Sequence, residues 1–200
     1  MPQNEDRQEP LPAVLRGMIS GEVLTDEPMR RHTSMGVGGN ADVMVIPADV
    51  EELKRVVSCL AKKEAQVFPV GNWTNIIARD GGYRGFIISL KRLKEITVNY
   101  EAGGRAVISA GAGASLGELV QITLREGLTG MEFCAGIPGT VGGAVRMNAG
   151  AFGREIKDVL TSASVMDRRG AIRNMKREEL EFEYRNLRMA DGDIVLSATF

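Results

Sequence analysis

The chain has 200 residues, 44% of them hydrophobic, and 26 acidic side chains set against 25 basic ones give a net charge of −1. That length holds one large domain or two small ones with a substantial core, and scattered charge near neutrality leaves no electrostatic footprint for nucleic acid. Two cysteines and a single histidine exclude a Cys/His metal cluster and a disulfide framework, and no apolar run approaches the ~18 residues of a membrane span.

The opening MPQNEDRQEP is polar and acidic, unlike a secretory signal, and predicts a frayed tail. With so few cysteines, a cytoplasmic setting is expected. Residues 11–19 predict a short helix, and residues 41–46 a strand entered through the Gly38-Gly39 turn. His32 invites comparison with flavoproteins that attach their cofactor through histidine, but a lone histidine bonding locally in a loop is the simpler expectation. Residues 49–65 predict a helix, with Val50, Leu53, Val56, Val57 and Leu60 as its apolar stripe and Asp49 with Glu52 resembling a capping box. Cys59 lies beside that stripe, where a thiol packs rather than reacts.

Residues 66–70 complete a βαβ-like unit and run into Gly71-Asn72-Trp73-Thr74-Asn75. Glycine after a strand, then small polar side chains, marks a candidate phosphate loop, although no Gly-Lys-Ser/Thr follows. Residues 86–90 predict another strand. Residues 96–100 and 106–110 flank a Gly103-Gly104 turn as a hairpin, and residues 115–126 predict a helix with Ser115 and Glu118 as its capping box. Between them, Gly111, Gly113 and Gly117 nearly match the dinucleotide fingerprint. The spacing is one residue too long and no acidic residue closes a second strand, so a permissive turn into a capped helix accounts for them.

Residues 130–153, GMEFCAGIPGTVGGAVRMNAGAFG, form the expected working centre. Glycine and proline disfavour a regular helix or strand throughout, yet the run is too apolar for a solvated linker. A buried glycine loop suits backbone amides that approach a phosphate closely, more so where a helix begins after it; a packing loop without ligand is the alternative. Beyond it, residues 159–167 and 171–174 predict a hairpin around Arg168-Arg169-Gly170, residues 176–180 a short helix, and residues 194–200 a strand. A chain stopping on the apolar IVLSATF reads as interrupted, so more protein is expected to follow.

GIPGTVGGAVRMNAGAFG closely resembles the signature of the UDP-N-acetylenolpyruvoylglucosamine reductases, also called UDP-N-acetylmuramate dehydrogenases. RHTSMGVGGNAD, VGNWTNIIARDGGYRG and FEYRNL match further family segments in order, so the likeness runs from about Gly21 to Phe200. The resemblance implies an α+β, two-subdomain FAD-binding fold of the vanillyl-alcohol-oxidase (PCMH) type, with the C-terminal substrate domain missing. It divides the chain into a tail or short helix (1–20), FAD-binding subdomain 1 (21–92) and subdomain 2 (93–200).

The implied reaction is reduction of a UDP-linked enolpyruvyl sugar to UDP-N-acetylmuramate in peptidoglycan synthesis, with non-covalent FAD as cofactor and NADPH as reductant. Gly71, Asn72, Thr74, Asn75 and Ile76 match the pyrophosphate loop. Gly136, Ile137, Pro138, Gly139, Thr140, Gly142 and Gly143 match the second FAD segment. Asn148, Gly150 and Ile194 complete the cofactor set, and Arg185 matches the arginine that holds the substrate carboxylate, against the plainer alternative of a surface salt bridge in a Glu-rich stretch. Three departures stand out: Trp73-Thr74 where the loop usually reads Gly-Ser, Phe152 for a frequent tyrosine, and Leu187 where serine is common. The family's proton-donating serine and its glutamate fall beyond Phe200, so these 200 residues are expected to bind FAD, weakly, without turning substrate over. The alternatives are another FAD oxidase or dehydrogenase of the same fold and a non-catalytic nucleotide-binding module.

Overall fold

A computed structural model describes residues 9–200, so most of the expected frayed tail lies outside the described residues. Pro10 leads into α1 (Leu11–Met18), anchored by the fully buried Leu15. The segment that follows, EVLTDEP, is acidic and lacks apolar alternation. A strand nevertheless forms: β1 (Glu22–Pro28) pairs antiparallel with β2 (Asn40–Ile46), Glu22 opposite Ile46 and Pro28 opposite Asn40. As an edge strand it tolerates both the charges and the terminal proline.

From β2 the chain crosses through α2 (Val50–Ala61) to β3 (Val67–Val70), and β4 (Tyr83–Ser89) inserts between them, parallel to both. The sheet order is β1-β2-β4-β3. The helix ends at Ala61 rather than at 65, because Glu64 turns left-handed (φ 51°) and Ala65 N–H donates back to Leu60 O, a C-terminal motif that usually uses glycine. Only half of the expected capping box is made. Asp49 accepts from Glu52 N–H at 2.8 Å, but the Glu52 carboxylate accepts from Ser20 N–H and Oγ–H, Gly21 N–H and Ala48 N–H instead. Burial pushes this carboxyl up, yet the bonds from Ala48, Ser20 and Gly21 outweigh it and hold the pKa at about 2.

The second half holds β5 (Ile96–Tyr100), β6 (Ala106–Gly111), α3 (Leu116–Arg125), α4 (Val141–Arg146), β7 (Gly150–Ala151), β8 (Arg154–Glu155), β9 (Ser162–Met166), β10 (Ile172–Lys176), β11 (Phe182–Glu183), β12 (Asn186–Leu187) and β13 (Ile194–Thr199). Five of these strands make an all-antiparallel sheet in the order β10-β9-β13-β6-β5. Ser115 caps α3 through Glu118 N–H, and the helix expected at 176–180 shrinks to the single 3-10 turn Arg177–Glu179. One core lies under this second half, built on Leu116, Leu119, Val141 and Val195. Another joins Leu53 and Val45 of the first half to Met166, Ile194 and Leu196 of the second, so buried packing crosses the 92/93 division.

Candidate functional site

Two loops far apart in sequence meet where β3 ends and α4 begins. A Cβ on Gly71 would lie 2.2 Å from Thr140 Oγ1, so only glycine permits this approach. Thr74 Oγ1–H donates to Pro138 O at 3.4 Å, and a Cβ on Gly139 would lie 3.2 Å from that same hydroxyl oxygen. The second loop is pinned from behind. Leu116 N–H donates to Gly139 O at 3.1 Å and Val141 N–H to Ala114 O at 2.9 Å, which locks residues 139–141 beside the start of α3.

The donors of these loops divide sharply. Among the described residues, the backbone N–H groups of Asn72, Thr74, Asn75, Ile76, Gly136, Gly139 and Thr140 donate to no acceptor within the protein. Backbone amides are obligatory donors, and Thr140 is buried, with 6% exposure. A row of uncommitted amides on two touching glycine loops fits a diphosphate, the anion a nest of N–H groups accepts. Left-handed backbone at Gly136 (φ 84°) and Gly139 (φ 132°) shapes the second loop. The start of α4 contributes less than the sequence suggests. Val141, Gly142 and Gly143 already donate to Ala114 O, Ala112 O and Thr140 Oγ1, and Gly142 is glycine because a Cβ would lie 2.6 Å from Ala112 Cβ. Ile137 N–H is likewise taken, by Cys134 O.

Trp73 occupies the first loop with φ 57° and is only 5% exposed. Glycine is the ordinary occupant of such backbone, which explains the residue usual there. His32 bonds locally, as the simpler expectation holds: its Nε2–H donates to Glu27 Oε1 at 2.9 Å.

Asn148, fully buried, stands apart from the loops as a structural hub. Its amide donates to Glu155 Oε2 and Glu183 O, both at 3.0 Å, and its Oδ1 accepts from Lys157 N–H at 3.2 Å. Every polar atom of that side chain is therefore committed to holding the β7–β8 and β11–β12 hairpins and the 3-10 turn Ile156–Asp158. Gly150 serves the first hairpin, since a Cβ there would lie 2.4 Å from Arg154 O. Phe152 sits at its tip, 89% exposed with φ 52°. Ile194 opens β13 with its side chain in the core, and Leu187 is fully buried.

Arg185 sits at the tip of the β11–β12 hairpin, exposed, with φ 55°. Its guanidinium lies 5.7 Å over the Tyr184 ring. The carboxylates of that Glu-rich stretch go elsewhere: Glu181 and Glu183 pair with Arg188 at 3.3 and 2.6 Å. No carboxylate of the described residues pairs with Arg185, so its charge is open to a ligand. Arg146, which sequence reasoning passed over, steadies this hairpin by donating to Asn186 Oδ1 at 2.5 Å and Leu187 O at 2.7 Å. Its place in the last turn of α4 gave no signal beyond charge. The buried Cys134 thiol is pushed up to about 12 by burial, which rules it out as a nucleophile.

The FAD binding domain family matches residues 41–176. The UDP-N-acetylenolpyruvoylglucosamine reductase of Syntrophus aciditrophicus is 47% identical over 186 residues, covering 93% of this chain and 60% of that protein. The crystal structure of UDP-N-acetylenolpyruvylglucosamine reductase from Thermus caldophilus superposes with a TM-score of 0.68 at 33% identity, over 90% of this chain and 61% of that one. Glucooligosaccharide oxidase from Acremonium strictum shares the fold alone, with a TM-score of 0.64 at 18% identity over 96% of this chain and 42% of that one. The chain thus spans about three fifths of the length of the curated relatives it matches. No helix among the described residues is long and apolar enough to cross a membrane. Fold, loop geometry and sequence converge: the chain belongs to the FAD binding domain family, with the α+β architecture expected of it, and over about nine tenths of its length it is similar to UDP-N-acetylenolpyruvoylglucosamine reductases.

Proposed function

We propose that this chain is the FAD-holding part of a cytoplasmic, NADPH-using reductase that converts the enolpyruvyl ether of a UDP-sugar to UDP-N-acetylmuramate for peptidoglycan synthesis. The observation that carries the proposal is the meeting of residues 71–76 with residues 136–140, their amides uncommitted. When bound, FAD supplies the hydride chemistry, and the protein supplies orientation and charge. The amides of Asn72, Thr74, Asn75, Gly139 and Thr140 receive the diphosphate from two sides. Gly71 allows the loops to close on it, and Gly136 and Gly143 leave room beside it. Ile137, Pro138 and Gly142 shape the second loop. Asn148 and Gly150 act on the flavin end by fixing the hairpins, and Ile194 acts by seating β13.

Arg185 holds the substrate carboxylate. An enol ether accepts hydride only if negative charge developing toward that carboxylate is stabilised, and a guanidinium on a fixed hairpin does this. No residue of this chain is assigned as proton donor. The buried Cys134 thiol, held at about 12, gives up its proton too reluctantly. Two free cysteines, Cys59 and Cys134, suit a reducing compartment.

The visible spectrum of the purified chain tests this. Flavin absorbance retained on purification, or gained on titration with FAD and released by acid, is the expected result. A colourless protein that takes up no flavin refutes it. NADPH-dependent reduction of the enolpyruvyl sugar is expected only from a longer protein carrying this chain, and normal turnover by the 200 residues alone overturns that division of labour.

A further inference from the structure

We propose that His32 is a positioning residue for FAD, acting through Trp73: the imidazole stacks on the indole and presets the diphosphate loop before the cofactor arrives. The proposal rests on the FAD assignment above. Residues 72–76 donate no backbone hydrogen bond among the described residues, so the loop lacks the usual means of holding a shape. Side-chain anchors must do so instead. Trp73 is the largest of them, 5% exposed and seated in a cluster with Met29 and Val70.

The indole is fixed from the outer side as well. The His32 ring lies 5.8 Å from it, centroid to centroid, with 27° between planes. His32 is itself held twice. Its N–H donates to Met29 O at 2.9 Å at the end of the turn Met29–Arg31, and its Nε2–H donates to Glu27 Oε1 at 2.9 Å. Glu27 is 13% exposed and is approached by Arg31 at 3.9 Å. A line of contacts therefore runs from Glu27 through His32 to Trp73, whose backbone joins the free amides of Asn72 and Thr74. Glycine at position 73 satisfies the left-handed φ of 57° but anchors nothing. This chain replaces that permissive backbone with a clamped side chain, and a loop ordered in advance loses less freedom when a ligand binds.

Trp73 is the one tryptophan of the chain, so its emission reports the stack directly. FAD titrations of the parent, His32→Ala, Trp73→Gly and the double variant form a coupling cycle. His32→Ala is expected to alter the intensity and wavelength of Trp73 emission and to raise the FAD Kd about tenfold in the parent. In the Trp73→Gly background the same change is expected to cost less than about twofold, because the partner is gone. His32→Phe keeps a stacking ring, restores binding to within about threefold, and keeps the test open if His32→Ala folds poorly. Equal losses in both backgrounds, parent-like binding by His32→Ala, or unchanged Trp73 emission overturns the proposal. A parent that binds no flavin sinks the FAD assignment and this proposal together, whereas a parent that binds while His32→Ala matches it sinks this proposal alone.

Discussion

Residues 71–76 and 111–117 look like rivals for the same task. Each follows a strand, each is rich in small residues, and the second comes nearer to a dinucleotide fingerprint. Their backbones do opposite things. In the second loop Gly111, Ala112, Gly113 and Ala114 donate to Glu95 O, Leu196 O, Leu93 O and Gly111 O. Its glycines exist for close packing, since a Cβ on Gly113 would lie 2.0 Å from Leu90 O and one on Gly111 2.3 Å from Leu93 O. In the first loop the amides of Asn72, Thr74, Asn75 and Ile76 have no protein acceptor among the described residues. What separates a ligand loop from a packing loop is whether its donors are committed, and glycine content carries no information on that.

Substitutions can break this contrast. Gly113→Ala is expected to cause the largest loss, about 3 kcal/mol of stability, because the atom it meets is a backbone carbonyl that cannot yield as a side chain does. Urea unfolding measures it, and FAD affinity should be unaltered where the variant remains folded. A stable Gly113→Ala protein that has lost FAD would instead make residues 111–117 the ligand loop.

Glu52 extends the contrast to side chains, for all its acceptor capacity is committed to residues 20, 21 and 48. Glu52→Gln is expected to cost about 2 kcal/mol, since an amide nitrogen faces donors that need an acceptor. The pH dependence has a definite sign. The folded-state pKa lies at about 2, below the ordinary 4.5, so ionised Glu52 stabilises fully above 4.5 and its contribution is lost as pH falls toward 2. Acid unfolding followed by circular dichroism should begin at higher pH in the parent than local packing alone dictates, and Glu52→Gln should flatten that acid limb.

Much of this was legible in the sequence because it is local. The stripe from Val50 to Leu60 gave α2, Gly103-Gly104 gave the β5–β6 hairpin, and the glycine segments gave both loops. The losses share a different cause. β1 exists only through its pairing with β2, and Glu52 finds partners 32 and 31 residues away. α2 stops at Ala61 ahead of Glu64, which is left-handed without being glycine, so its end lacks the usual punctuation. The site residues came from resemblance, and the residues alone could not have told committed amides from free ones.

Gly143→Ala sharpens the contrast within residues 136–143. Gly143 is exposed in α4, and an added Cβ would meet only Thr140 Oγ1, at 3.5 Å. Alanine is the better helix former there, so stability should rise by about 0.5–1 kcal/mol. If the methyl intrudes where FAD lies, affinity should fall about tenfold at the same time. A glycine retained against its own helix is then explained by the ligand. Tighter FAD binding by the variant would return Gly143 to the packing class with Gly142.

The smallest expected effect on the folded chain belongs to Arg185. Its guanidinium rests on the exposed Tyr184 ring and pairs with no carboxylate of the described residues, so Arg185→Ala should shift stability by no more than about 0.5 kcal/mol. Relief or worsening of the left-handed φ falls within the same range, because alanine shares the backbone preference of arginine there. FAD binding should be untouched as well. In a longer protein carrying this chain, the same change should lower kcat/KM for the enolpyruvyl sugar about a hundredfold or more, as removal of one transition-state donor does, while the flavin spectrum stays as it was. Arg188→Ala is the matched control: it breaks two ion pairs to Glu181 and Glu183, costs at most about 1 kcal/mol at so exposed a site, and should leave kcat/KM nearly intact. If Arg188→Ala is the variant that loses turnover, the catalytic charge sits three residues downstream of the proposed one, and the uncommitted guanidinium at position 185 has no part in the chemistry.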